Sequence, residues 1–297
     1  MSTPPTTPSA RSLVLDAEQR FVDAGLVFGH GTDNARDEAV FLVFDTLGLA
    51  FDCAPEMLDE SLDPAAVARV AEVITQRIET RRPAAYITGR MWFAGHEFVV
   101  DERVLIPRSP LAELIRAEFA PWLEAAGLRQ IIEIGTGSGC IAIACALALP
   151  QAQVTATDIS AAALAVAREN AAAHALDEDR VRFELVDLFP STPAQCDLII
   201  TNPPYVPRAT VDALPPEYAH EPRLALDAGD DGLDCVRRIC AAARAHLADG
   251  GALIVDVGEM AGDIDRALPW VNFTWVELEH GGEGIGIACK SDIGIPP

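Results

Sequence analysis

Apolar positions along the 297-residue chain follow three different patterns, and each predicts a different kind of element. From about Ser12 to Arg82, Leu13, Phe21 and Leu26, then Val40, Phe41, Phe44 and Leu47, recur at helical spacing, as on one buried face of a helix. Thr32 or Asp33 can cap the second of these helices, and Asp63-Pro64 opens another with proline in its first turn. Helices this short are marginal alone, so the segment reads as a small helical domain that needs a larger partner. His30, in Gly29-His30-Gly31, reads as part of a loop and not as a ligand.

The pattern changes at Pro83. Met91–Val100 reads as two short strands around Ala94-Gly95. Arg103–Pro110 carries two prolines and reads as an extended connector that could reach a ligand, with Arg108 a candidate charge within it. A helix is predicted from Leu111 to about Ala126. From Arg129 onward short apolar runs alternate with helical stretches. Strands are predicted at Gln130–Ile134, Val154–Asp158, Val181–Asp187, Asp197–Thr201, Ala252–Gly258, Phe273–Glu279 and Ile285–Lys290. Helices are predicted at Cys140–Leu149, Ala161–Ala173, Cys235–Leu247 and Ala261–Leu268. Such alternation means an α/β domain, a mostly parallel sheet with helices on both faces. The last two strands, joined by Gly281-Gly282-Glu283-Gly284, pair as an antiparallel hairpin at the edge. Ligands in such sheets bind beyond the carboxyl ends of the strands.

Composition narrows the function. Against 45 acidic residues stand only 22 basic ones, a net charge of −23. Nucleic acid as the main partner needs a cationic surface, so the balance weighs against it and permits steering toward a basic protein. All basic residues but Lys290 are Arg, and nothing in the sequence explains that. Seven scattered cysteines form no Cys-x-x-Cys pair and read as reduced residues of a cytoplasmic protein, with no metal site implied. Residues 1–11 read as a disordered tail rather than a signal peptide. No run approaches the ~18 apolar residues of a membrane span.

Two stretches carry chemistry. Glu133-Ile134-Gly135-Thr136-Gly137-Ser138-Gly139 lies between a predicted strand and helix, where glycines allow a tight turn and close approach of a ligand to backbone. Cys140 stands where a dinucleotide fingerprint wants glycine. The acidic Glu133 suits a sulfonium and an ammonium better than a pyrophosphate. Asp158 ends the next strand, 23 residues after Gly135, near the ~20-residue offset of an acceptor for ribose hydroxyls. Asp187 ends the third and is placed to accept from an adenine amino group, with Leu188 and Phe189 as apolar walls. Alone, either aspartate is as readily a helix cap. The second stretch is Thr201-Asn202-Pro203-Pro204-Tyr205, after the apolar run Leu198-Ile199-Ile200. Each proline fixes φ and removes an N–H, and Pro203 keeps Asn202 out of helix. The Asn202 carboxamide, backbone carbonyls and the Tyr205 ring then suit a planar group bearing NH2. The plainer reading of the stretch alone is a turn after a strand.

Taken together, Glu133–Gly139, Asp158, Asp187 and Asn202–Tyr205 resemble the class I, seven-stranded Rossmann-like methyltransferases dependent on S-adenosyl-L-methionine that alkylate a planar nitrogen. Pro83–Gly89 and Val104–Arg108 resemble the protein glutamine N5-methyltransferases of release factors and ribosomal proteins. Ser109–Ile115, Gly29–Asn34 and Leu214–Pro222 resemble the ribosomal, PrmB, branch. The resemblance spans about Ser12 to Cys289. It implies a helical substrate-recognition domain over 12–88, a hairpin connector over 89–110 and a catalytic domain over 111–297. It implies S-adenosyl-L-methionine bound by Glu133, Gly135, Thr136, Gly137, Ser138, Gly139, Asp158, Asp187, Leu188 and Asn202. Asn202, Pro203, Pro204 and Tyr205 would be catalytic, S-adenosyl-L-homocysteine the product, and no metal needed. The expected substrate is a glutamine of large-subunit ribosomal protein L-three. Alternatives are the Gly-Gly-Gln glutamine of a release factor, an adenine nitrogen on nucleic acid, and a non-catalytic assembly module.

Overall fold

A computed structural model describes residues 8–190, 195–279 and 281–296. Residues 1–7 of the expected tail lie outside the described ones, and a helix already begins at Ala10 behind the cap Ser9. The chain divides into two compact units, one running up to Arg90 and including Pro215–His220, the other holding Met91–Leu214 and Glu221–Pro297.

The first unit is helical: α1 (Ala10–Asp23), α2 (Ala35–Leu47), α3 (Pro64–Thr80) and α4 (Ala84–Thr88). Asn34, rather than Thr32 or Asp33, caps α2, its side chain accepting from the Asp37 N–H, because only Asn34 stands next to the first helical residue. Asp63 caps α3, taking the N–H groups of Ala65 and Ala66 at 2.9 Å, with Pro64 at the first helical position. Phe21, Leu42, Val70 and Ile74 are buried between these helices. A charged cluster is buried with them: Arg77 Nε donates to Glu38 at 2.7 Å, and Glu217 accepts from the Val27 N–H and from Arg81, both at 3.0 Å. His30 is buried, its ring 4.2 Å from that of Tyr218.

From the boundary residue Arg90 onward, β1 (Arg90–Phe93) and β2 (His96–Val99) form the expected two-stranded ribbon. The helix predicted from Leu111 to Ala126 stops early: α5 covers Leu111–Arg116 only. Glu118 and Phe119 have left-handed φ of 50° and 65°, and Pro121 cannot continue a helix and drives Ala120 out of one.

The seven-stranded sheet holds β3 (Gln130–Ile134), β4 (Gln153–Asp158), β5 (Val181–Leu185), β6 (Cys196–Thr201), β7 (Leu247–Asp256), β8 (Thr274–Val276) and β9 (Ile285–Cys289). Their spatial order is β5-β4-β3-β6-β7-β9-β8, with β9 antiparallel to both neighbours. Helices α6 (Cys140–Ala148), α7 (Ala161–Ala173), α8 (Arg208–Val211), α9 (Asp234–His246) and α10 (Ala261–Ala267) complete the unit. One apolar cluster joins α5 and α6 to Ile131, Leu198 and Ile254; a second joins α9 and α10 to Ile132, Ile199 and Leu253. Alternate residues of each central strand face opposite layers, so Leu198-Ile199-Ile200 of β6 and Leu253-Ile254-Val255 of β7 read as unbroken apolar runs. This is the class I methyltransferase fold. Chain direction across the sheet reverses between β3 and β6, where ligands of open α/β sheets bind.

Candidate functional site

Strand register brings the two motifs together. Ile134 pairs with Thr201 in the parallel β3–β6 pair, so Gly135 and Asn202 emerge side by side at the switch point. The glycine loop is tight: Gly135 and Thr136 N–H both donate to the Thr157 carbonyl at 2.9 Å, and Gly139 N–H to Thr136 at 2.8 Å. Gly135 and Gly137 hold left-handed φ of 73° and 55°, and a Cβ on either would meet no protein atom within 4 Å. Their missing side chains therefore leave open space. At Gly139 a Cβ would fall 3.0 Å from that of Ala167, so this glycine serves the packing of α6 on α7.

Glu133 faces inward. It is 1% exposed; its Oε2 accepts from the Thr136 hydroxyl at 2.5 Å and the Ala142 N–H at 3.0 Å. Its Oε1 has no hydrogen-bond partner among the described residues. Burial pushes its carboxyl up to about 8, because low-dielectric surroundings disfavour the charged form. Thr136 and Ser138 are buried as well. All three therefore shape the loop from within. Asn170 of α7 holds it from behind, donating to the Ser138 carbonyl at 2.9 Å and joining the Val99 N–H and carbonyl.

A cavity of about 230 Å³ opens over the strand ends, lined by Gly135, Gly137, Asp158, Asp187, Leu188 and Asn202. Pro203 and Pro204 line it as well. Asp158 spans the loop, accepting from the Gly137 N–H at 2.9 Å and the Ser160 N–H at 2.8 Å. Burial raises its carboxyl above the usual range, and backbone donors at Ser160, Gly137 and Ile159 oppose that. Asp187 pairs with Arg238 of α9 at 2.6 Å, both about half exposed, a pair worth little in stability. Leu188 stands at a left-handed φ of 68°, and its carbonyl accepts from the Thr157 hydroxyl at 2.5 Å. Strain of that kind in an apolar residue marks functional loops. Phe189 does not line the cavity; it stacks on His246 at 4.2 Å.

The Asn202 carboxamide is half-buried, lines the cavity, and has no hydrogen-bond partner among the described residues. The Pro203 carbonyl likewise accepts no hydrogen bond among them. The loop itself is held: Val206 N–H donates to Leu226 and Ala228 N–H to Val206, each at 3.0 Å, and Arg208 N–H donates to Gly229 at 2.8 Å. Tyr205 is not among the cavity-lining residues. Its ring lies against Gly258, where a Cβ would come 3.0 Å from Tyr205 Cε2. Arg108 sits in a two-pronged pair with Glu221, at 2.5 and 2.8 Å.

Ile159, Leu224, Cys235 and Arg238 reach the cavity and were not singled out in the sequence; Arg103, Val104 and Leu105 bring to it the connector that was read as able to reach a ligand. Cys235 and Arg238 share one face of α9 by their spacing of three, the only local signal they carry. Adenosine fits this site by its apolar walls, two acidic acceptors and glycine-cleared floor. Among the described residues no group of three or more His, Cys, Asp or Glu is arranged to hold a metal ion. All seven cysteines are free thiols, and no described helix is long and apolar enough to cross a membrane.

Comparison with known proteins adds an independent finding. Residues 118–214 match the family model "Methyltransferase small domain". The chain is 46% identical to a ribosomal protein uL3 glutamine methyltransferase of Xanthomonas campestris, over 94% of this chain and 90% of that one. It is 43% identical to the protein of the same description from Bordetella pertussis, over 95% of each. Among solved structures, the hMettl16 catalytic domain bound to a MAT2A 3′UTR hairpin aligns at TM-score 0.48 and 18% identity, covering 80% of this chain and 85% of that one.

Proposed function

The chain belongs to the ribosomal protein uL3 glutamine methyltransferases, and from that premise we propose that Asn202–Tyr205 holds the side-chain amide of a uL3 glutamine for N-methylation. S-adenosyl-L-methionine supplies, when bound, an electrophilic methyl group on a sulfonium. Gly135 and Gly137 would let it approach backbone, Asp158 would accept from its ribose hydroxyls, and Asp187 with Leu188 would hold the adenine. Glu133, Thr136 and Ser138 act by fixing the loop. A ribosomal-protein substrate argues for a cytoplasmic reaction.

An amide nitrogen is a weak nucleophile, since its lone pair is delocalised into the carbonyl. Asn202 Oδ1 and the Pro203 carbonyl are the acceptors for its two protons, and both are without a partner among the described residues. Accepting both protons fixes the nitrogen with its lone pair toward the cofactor cavity. As positive charge grows on nitrogen these hydrogen bonds strengthen, which favours the transition state over the bound substrate. Orientation of this kind accounts for several of the ~7–11 kcal/mol available to proximity. No base is needed before attack, because the proton becomes acidic only as the new bond forms. The proline pair supplies rigidity, so little ordering is left for the moment of reaction.

The observation that supports this reading most is the Ile134–Thr201 register, which sets the glycine loop beside the Asn202 carboxamide. The test is mass spectrometry of uL3 and of the release factors from cells with and without the gene. A single-methyl loss confined to a uL3 glutamine is expected. Loss confined to a release factor overturns the substrate assignment, and loss on neither overturns the activity.

A further inference from the structure

Behind Tyr205 lies a buried polar chain that the proposed chemistry does not itself use. Asp256 ends β7 and is 2% exposed. Its Oδ2 accepts from the Ser109 hydroxyl at 2.6 Å, and its Oδ1 from the Gly258 N–H at 3.2 Å. Ser109 also accepts from the Leu111 N–H at 3.2 Å, so its hydroxyl both donates and accepts. One residue earlier, Arg108 grips Glu221, which also accepts from the Ile106 N–H at 3.1 Å. Glu221 has a fully buried side chain.

Gly258, at φ 50°, is the residue on which the Tyr205 ring rests: a Cβ there would fall 3.0 Å from Cε2 and 3.1 Å from the hydroxyl oxygen. The path of the turn at Gly258 therefore decides where the ring can lie. That turn is held by the Asp256 carboxylate, together with the Val257 N–H donating to Gly284 at 3.0 Å, and the carboxylate is held by Ser109. A buried carboxylate this deep needs its hydrogen bonds, so the geometry is defined and not merely permitted.

We propose that Ser109, Asp256 and Gly258 are positioning residues for Tyr205, acting on the methyl-transfer step through the ring's placement and leaving cofactor binding untouched. The proposal rests on the reading of Asn202–Tyr205 as the amide-holding loop. It also gives the extended Pro107-Arg108-Ser109-Pro110 stretch a role. Arg108 anchors the connector to Glu221, and Ser109 carries that anchor to the Asp256 turn.

Titration offers a readout that packing alone would not move. Burial raises Asp256 to about 6, against the Ser109 and Gly258 hydrogen bonds and the charge of Arg108. The groups that face it are Ser109, the Arg108 guanidinium with its partner Glu221, and, across Gly258, the Tyr205 phenol. The working form is the carboxylate, so kcat should fall as pH drops through about 6. Removing the Ser109 hydroxyl takes away a group that lowers this value, and the acid limb should move to higher pH.

The experiment measures kcat, KM for uL3 and the Kd of S-adenosylhomocysteine across pH, on the full chain carrying Ser109→Ala, Ser109→Thr, Asp256→Asn, Gly258→Ala or Tyr205→Ala. Expected are a loss of about 10- to 100-fold in kcat for Ser109→Ala and Gly258→Ala, an unchanged Kd, and an upward-shifted acid limb in Ser109→Ala. Ser109→Thr should restore turnover, and Asp256→Asn should be slow and flat across that limb. Gly258→Ala keeps the test open should Ser109→Ala fail to fold. Wild-type kcat and an unmoved limb in Ser109→Ala, or wild-type kcat in Gly258→Ala, overturn the inference. If Tyr205→Ala alone loses turnover, only the inference falls. If Tyr205→Ala also turns over normally, Tyr205 drops out of the amide-holding reading, whose own failure shows separately as wild-type turnover in Asn202→Ala.

Discussion

Thr201 donates its hydroxyl to the carbonyl of its register partner Ile134 at 2.8 Å, deep between β3 and β6. The bond locks together the two strand ends from which the glycine loop and the Asn-Pro-Pro-Tyr loop depart. Thr201→Val keeps the shape and leaves that carbonyl without the hydroxyl. It should cost about 1–3 kcal/mol of stability, read in urea unfolding, and lower kcat more than it weakens cofactor binding.

Asp158 is the acceptor proposed for ribose hydroxyls, and it also ties Gly137 to Ser160. Asp158→Asn removes charge and one acceptor oxygen. Hydrogen bonds involving a charged group contribute about 1.5–3 kcal/mol, so titration calorimetry should show cofactor affinity falling roughly 10- to 100-fold. Turnover at saturating cofactor should fall much less.

Glu133 links stability to pH. Its ordinary value is 4.5 and its folded value about 8, so between the two the folded chain binds a proton that the unfolded chain has released. The site's stability is therefore complete at low pH and is lost as pH rises through about 8. Glu133→Gln has the shape of the protonated acid and cannot ionise. The slope of Tm against pH over this window should be shallower in the variant, and an unchanged slope would contradict the assignment.

Arg77 and Glu38 form a buried pair in the helical unit, with side-chain exposures of 0% and 1%. Removing one partner leaves the other charge buried. Glu38→Ala should therefore cost about 3–5 kcal/mol, while replacing both by apolar residues of similar volume should be close to neutral. Urea midpoints for the single and double variants separate the two cases.

What the sequence made legible was set by period and by local chemistry. Short apolar runs between helical stretches marked the strands, most plainly the ends of β6 and β7, which are buried on both faces. The glycine loop was legible because left-handed φ at Gly135 and Gly137 demands glycine. Element ends were less so: nothing in Leu111–Ala126 announced the turn at Glu118 and Phe119. Side-chain direction was the larger gap. The charge of Glu133 pointed to a ligand, yet its register places it inside the loop, and Tyr205 turns to Gly258. Contacts such as Ser109 with Asp256, 147 residues apart, or Arg238 with Asp187, 51 apart, leave no local pattern. Nor did any signal assign Pro215–His220 to the helical unit; Glu217 is held there by Val27 and Arg81.

Orientation of the substrate amide is proposed to rest on the Asn202 carboxamide and the Pro203 carbonyl. Single-turnover methyl transfer from bound S-adenosyl-L-methionine to uL3, compared between wild type and Asn202→Ala, tests it most directly. The rate in the variant should be at least ~100-fold lower, with cofactor Kd changed far less. A wild-type rate in Asn202→Ala would contradict it.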